Sequence, residues 1–242
     1  MRRDLRHVLR TPRRWEGGLR RSALARNIQG SNSIEGYEVA EDDAAVMIHP
    51  FLDGNGRMAR ALATLVLTRS DIGEPEFSSI EEWLGANTDD YYRVRAHTGH
   101  GSWQPRPDPH LWVAFSLRAH HMQAQTVARR MSEAGATWEE LDRLAAEHRI
   151  PERALDPMFD AALGYRVRRG GYVNRAGVTE QTATRDLAGL VSAGILVARG
   201  NGRGRYYVAG PPVREIRERR RSGRSPLHDP YPWMRAKLAE MP

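Results

Sequence analysis

Cysteine is absent from the 242 residues, which excludes disulfides, zinc–thiolate centres and thiol nucleophiles. Any metal must therefore sit on oxygen or imidazole. Lysine is nearly absent as well: Lys237 stands alone, so the net charge of +7 is carried by arginine. Arginine forks onto phosphate oxygens better than lysine does, so phosphate-bearing partners are expected, although an Arg- and Ala-rich composition alone produces the same scatter. Long apolar runs are missing too. The longest, Ala59 to Leu67, is too short to span a bilayer, and no apolar core follows the arginines of Met1-Arg-Arg-Asp-Leu-Arg-His7. No membrane role is expected, and the location expected is cytoplasmic. With 40% hydrophobic residues, the length suffices for one medium domain and one small one.

No repeat period is present, so punctuation and charge divide the chain into four stretches. Residues 1–45 form a basic arm, a short helix with flexible flanks, ending in Ser31-Asn-Ser-Ile-Glu-Gly36 and the acidic Glu41-Asp-Asp43. Residues 46–131 read as mostly helical, with a Gly-rich loop, an amphipathic helix, the pair Tyr91-Tyr92 and an apolar helix from Leu111. Within 132–210, Thr137-Trp-Glu-Glu140 has the form of a capping box, Pro151 can open a helix running to about Leu163, and Thr179 can cap another. The last of these places Ala183, Leu187, Leu190 and Val191 on one face and stops at Gly194. Two strand patterns follow, 195–198 and 205–208, so helix, helix and hairpin make a winged-helix pattern. Residues 211–242, with Arg217, Arg219, Arg220 and Arg221 and then Pro226, Pro230 and Pro232, read as a basic, partly disordered tail.

The chemistry is concentrated in His49-Pro-Phe-Leu-Asp-Gly-Asn-Gly-Arg-Met-Ala-Arg60. Asp53-Gly-Asn-Gly56 runs straight into a helix whose Met58, Leu62 and Leu65 share a face, and Asn55 can cap it. Gly54 and Gly56 let backbone N–H groups approach an anion, and the helix start adds partial positive charge. The segment reads as a phosphate cradle. Arg57 and Arg60, three apart, project to one side, away from the apolar stripe, where two guanidinium forks can hold polyphosphate oxygens. Asp53 is a hard oxygen ligand of the kind Mg²⁺ takes beside phosphates, and His49 titrates in the range that suits accepting a hydroxyl proton.

Nine fixed positions in these twelve match H-P-F-x-D-G-N-G-R-x-x-R, and the segment resembles the signature of the Fic family. The resemblance implies His49 as general base, Asp53 as Mg²⁺ ligand, Asn55, Arg57 and Arg60 on the nucleotide phosphates, and Phe51 as the loop's anchor in the core. It further implies AMP transfer from ATP to a Ser, Thr or Tyr hydroxyl of a protein target or of the chain itself, with release of pyrophosphate. Ser31, Glu35 and Gly36 resemble the family's inhibitory helix, whose glutamate would pair with Arg60. Tyr91 and Tyr92 stand where family members line the nucleobase pocket, with core packing as the alternative. Residues 168–208 resemble the winged helix of longer Fic proteins. Arg185 on its recognition helix and Arg199 and Arg203 on its wing would meet DNA phosphates, or the module would dock a protein target or a second subunit, as in a homodimer.

The fold expected is mainly α: a partial Fic-type helical core followed by a small winged-helix (α+β) domain. The core is called partial because only twelve residues, Tyr37 to Ile48, separate the inhibitory-like motif from His49. The family places several helices and a target-binding hairpin there. Without them, the apolar face of the helix after Gly56 has fewer partners, and a target chain has no edge strand to align against. Two functions stay open: a protein adenylyltransferase held back by Glu35, or a regulator that binds DNA or protein through the winged helix while its Fic part has decayed.

Overall fold

The computed structural model describes residues 15–35, 55–69, 75–99 and 108–241. The chain is mainly α with one two-stranded sheet. Helices are α1 (Glu16–Glu35), α2 (Asn55–Arg69), α3 (Pro75–Ser78), α4 (Glu81–Ala86), α5 (Thr88–Gly99), α6 (His110–Glu147), α7 (Leu155–Ala162), α8 (Arg169–Ala176) and α9 (Glu180–Ser192). Strands β1 (Leu196–Arg199) and β2 (Tyr206–Ala209) follow, then α10 (Pro211–Ser222) and α11 (Trp233–Ala239). The described residues fall into two compact units: 15–22 with 129–226, and 23–128 with 227–241.

The first, or hairpin, unit has its core where α7, α8, α9 and the hairpin meet. Leu155, Met158, Phe159, Tyr172, Leu187, Leu190, Ile195 and Leu196 are fully buried there. Thr179 caps α9 by accepting from the Thr182 N–H, and Gly194 (φ +68°) takes the left-handed turn that no β-branched residue adopts cheaply. β1 and β2 pair antiparallel, Leu196 opposite Ala209 and Arg199 opposite Tyr206, and Val167 adds one bridge to Tyr207. At Gly210 a Cβ would lie 2.0 Å from the Gly194 carbonyl oxygen, so only glycine lets the chain leave the hairpin there. α10 then returns with Val213 and Ile216 buried, and Arg219 and Arg220 pair with Glu140.

The second, or helical, unit is built on Leu84, Tyr91, Val94, Leu111, Phe115 and Ala119 from α4, α5 and α6, closed by Met234 and Leu238 of α11. Residues 227–241 are tied down by polar contacts as well. Arg118 forks onto Asp229 at 3.1 and 2.8 Å. Gln125 donates to the His228 carbonyl at 2.7 Å and accepts from the His228 N–H at 2.9 Å. The Arg118 fork holds the Asp229 carboxyl below the usual carboxylate range despite its burial.

Three expectations need correction. The basic stretch from 211 is not a loose tail, because Val213/Ile216 and Met234/Leu238 recur at helical spacing; each fully buried side chain contributes about 1.5–3 kcal/mol. Thr137 opens no helix. α6 runs unbroken through it, since Leu111, Phe115, Ala119, Val127, Met131, Ala134, Leu141 and Ala145 keep one buried stripe on both sides of the threonine. The helix of the first 45 residues is also not short: α1 is 20 residues long.

Candidate nucleotide site

α2 begins at Asn55, inside the Gly-rich segment Asp53-Gly-Asn-Gly56, and a helix start carries partial positive charge. Arg57, in the first turn, is exposed. His49, Phe51, Asp53 and Gly54 lie outside the described residues, as does Gly36, while Ser31 and Glu35 fall on the closing turns of α1.

The orientation of α2 differs from the sequence expectation. Met58, Leu62, Leu65 and Val66 are each about half exposed, whereas Arg60 retains only 9% exposure. The apolar stripe faces outward and the arginine inward. A partner the sequence did not suggest stands beside it: the half-buried Glu81, at the start of α4, lies 3.4 Å from Arg60 Nε. A buried guanidinium calls for a counter-charge, and this carboxylate supplies one.

Of the tyrosines, Tyr91 belongs to the core, its ring edge-on to Tyr92 (5.2 Å between centroids) and tilted against Trp112 (5.9 Å). Core packing therefore occupies Tyr91, and Tyr92 is the half-buried member of the pair. On the hairpin unit, Arg185 is exposed on α9, Arg203 is exposed in the 3₁₀ turn Gly202–Gly204, and Arg199 ends β1. Arg199 also lines a cavity behind the hairpin, together with residues of α10.

α2 thus presents a helix start with an exposed arginine, Arg57, in its first turn. Residues 43–67 match the model of the Fic/DOC family. The match takes in the whole string from His49 to Arg60 and α2 as far as Leu67, 25 of the 242 residues. No helix among the described residues is long and apolar enough to cross a membrane.

A carboxylate on Arg60 competes with any phosphate for the same fork. If α2 holds nucleotide phosphates, replacing Glu81 with glutamine should tighten Mg-ATP binding roughly 5- to 30-fold, the equivalent of about 1–2 kcal/mol. Titration calorimetry on the single variant and on Arg60→Ala/Glu81→Gln checks this. A gain that persists in the double variant would mean that Glu81 acts through something other than Arg60.

Proposed function

We propose that this chain is a Fic-type protein adenylyltransferase, transferring AMP from Mg-ATP to a hydroxyl of a protein target or of itself in the cytoplasm. The observation that carries the reading is the unbroken string His49 to Arg60, matched to the Fic/DOC family and running directly into a helix start. His49 takes the proton of the attacking hydroxyl. Its oxygen forms a bond to the α-phosphorus while the bond to the β,γ-diphosphate breaks, and pyrophosphate leaves. Backbone N–H groups at the start of α2 and the Arg57 fork hold phosphate oxygens, and Arg60 joins them when Glu81 releases it. A lone carboxylate beside substrate phosphates suits Mg²⁺, so Asp53 is the residue that would hold the ion, which supplies charge neutralisation of the polyphosphate. Glu35, on the last turn of α1, is the brake in this reading, and Glu35→Gly should raise self-labelling.

A second reading has its own support: the chain acts as a winged-helix regulator, with α9 and the β1–β2 turn against DNA. Residues 166–210 carry eight arginines (166, 168, 169, 175, 185, 199, 203 and 205) against two acids, Glu180 and Asp186, and Asp186 is buried in an ion pair. If that surface takes DNA, affinity should fall steeply with salt, and Arg185→Ala with Arg203→Ala should flatten the slope by about two counterions. A salt slope equal to wild type would move the surface to protein docking.

The two readings part on a melt. Saturating Mg-ATP should raise Tm if the nucleotide site is functional, since a ligand at 100-fold its Kd adds about 2.7 kcal/mol. An unchanged Tm favours the regulator.

A further inference from the structure

A cavity of about 210 Å³ opens in the hairpin unit between the end of α7, the outer face of the hairpin and α10. Three arginines line it: Arg199 from β1 and Arg214 and Arg217 from α10, the latter pair three residues apart and hence neighbours on one helix face. Tyr165, Val197 and Val208 supply an apolar lining, and no carboxylate lines it. Val197 and Arg199 alternate on one side of β1, and Val208 is the cross-strand partner of Val197, so the strand pairing itself sets the floor.

Several other arginines of this unit reach carboxylates, though Arg149, Arg168, Arg203 and Arg221 reach none among the described residues. Arg21 and Arg175 share Asp160, Arg153 holds Asp186, Arg219 and Arg220 share Glu140, and Arg224 holds Glu133. By contrast, Arg199, Arg214 and Arg217 make no ion pair or side-chain hydrogen bond with any described residue. Three like charges gathered on one concavity repel one another, and an anion is the ligand that relieves the repulsion. Gly164 strengthens the case: its φ is +95°, and a Cβ there would lie 3.3 Å from Arg217 Nη1, so bare backbone leaves room for that guanidinium.

The chemistry selects the anion. Guanidinium forks match phosphate oxygens, the apolar lining suits an organic group attached to the phosphate, and the volume falls below the usual ~300 Å³ lower limit for drug-sized pockets. We propose that this cavity is a binding site for a small phosphate monoester, separate from the nucleotide site at α2. A small pocket with an apolar floor is a poor fit to a DNA backbone, whose phosphates are spread along the duplex and carry no apolar group to fill it.

The test is titration of the full chain, in metal-free buffer, with phenyl phosphate, inorganic phosphate or a short DNA duplex, followed by backbone amide chemical shifts. Phenyl phosphate should shift Gly164, Tyr165 and Val197 saturably, and inorganic phosphate should do so more weakly. Arg214→Ala and Arg217→Ala should each weaken phenyl phosphate by about 10-fold or more, the scale of one charge-assisted hydrogen bond. Arg217→Lys, which keeps the charge and tests folding, should fall between, while Arg203→Ala should bind as wild type does. Shifts absent from these residues, alanine variants that bind equally well, or movement of the same residues by DNA but not by phenyl phosphate would overturn the proposal. Equal affinity for phenyl phosphate and inorganic phosphate would overturn its ester part.

Discussion

Asp186→Ala should destabilise the hairpin unit by about 3 kcal/mol, the low end for breaking one side of a buried ion pair, and lower its Tm by roughly 10–20 °C. Asp186 is 3% exposed at its side chain and accepts from Arg153 Nε at 2.7 Å and Nη2 at 2.8 Å. It also accepts from the Tyr172 hydroxyl at 2.9 Å, and Tyr172 is wholly buried. Alanine would leave that hydroxyl with no acceptor and the guanidinium with no counter-charge. The figure is kept low because Arg153 retains 39% exposure and water can serve its outer face. Burial works against the Asp186 charge, yet hydrogen bonds from Arg153 and Tyr172 more than offset it, so its carboxyl titrates below the ordinary 3.8. A depressed folded value gives stability that is complete above the unfolded value and lost as pH falls through the folded one. The gap between wild type and Asp186→Asn should therefore be widest near neutrality and shrink below about pH 4. Burial and the neighbouring Asp186 push the Tyr172 hydroxyl well above its ordinary 10.0, so stability should also fall as pH rises beyond that value. Urea melts across this range check both limbs. A gap independent of pH would mean that Asp186 acts by shape and not by charge.

His49→Ala should abolish AMP transfer, a loss of about 10²- to 10⁴-fold or more, while leaving Mg-ATP affinity within about twofold of wild type. The separation follows from where the base acts. In the proposed mechanism it takes a proton from the incoming hydroxyl, whereas the start of α2, Arg57 and a metal at Asp53 would hold the nucleotide. Arg57→Ala should show the opposite pattern, with affinity lost first, because that side chain is exposed at the mouth of the helix start. Labelling by His49→Ala at the wild-type rate would remove the histidine from the mechanism.

The parts of this chain that could be read from the sequence are those where local chemistry and tertiary packing agree. Thr179 capping α9, Gly194 ending it, and the hairpin within one residue of its predicted bounds are such places. The string from His49 to Arg60 is legible as a family signature, and residues 43–67 match the model of the Fic/DOC family. The sequence misled where a distant partner decided the outcome. Thr137-Trp-Glu-Glu140 has the form of a cap, but a buried stripe continuing through α6 outweighs one local hydrogen bond. In α10 and α11 only two apolar side chains per helix carry the packing, and in α10 they are hidden among arginines, two of which find Glu140 more than seventy positions away. Arg60 is the sharpest case. Helical spacing put it beside Arg57, away from the apolar stripe, and no local pattern could have disclosed that it is buried beside Glu81.

The measurement closest to the central claim is incubation of the full chain with Mg²⁺ and ATP labelled on either the α- or the γ-phosphate, followed by intact and peptide mass spectrometry. An adenylyltransferase retains the α-label on a Ser, Thr or Tyr as an AMP adduct, never the γ-label, and Glu81→Gln and Glu35→Gly raise the yield while His49→Ala removes it. Retention of the γ-label, or no adduct under conditions where Mg-ATP demonstrably binds, would contradict the assignment.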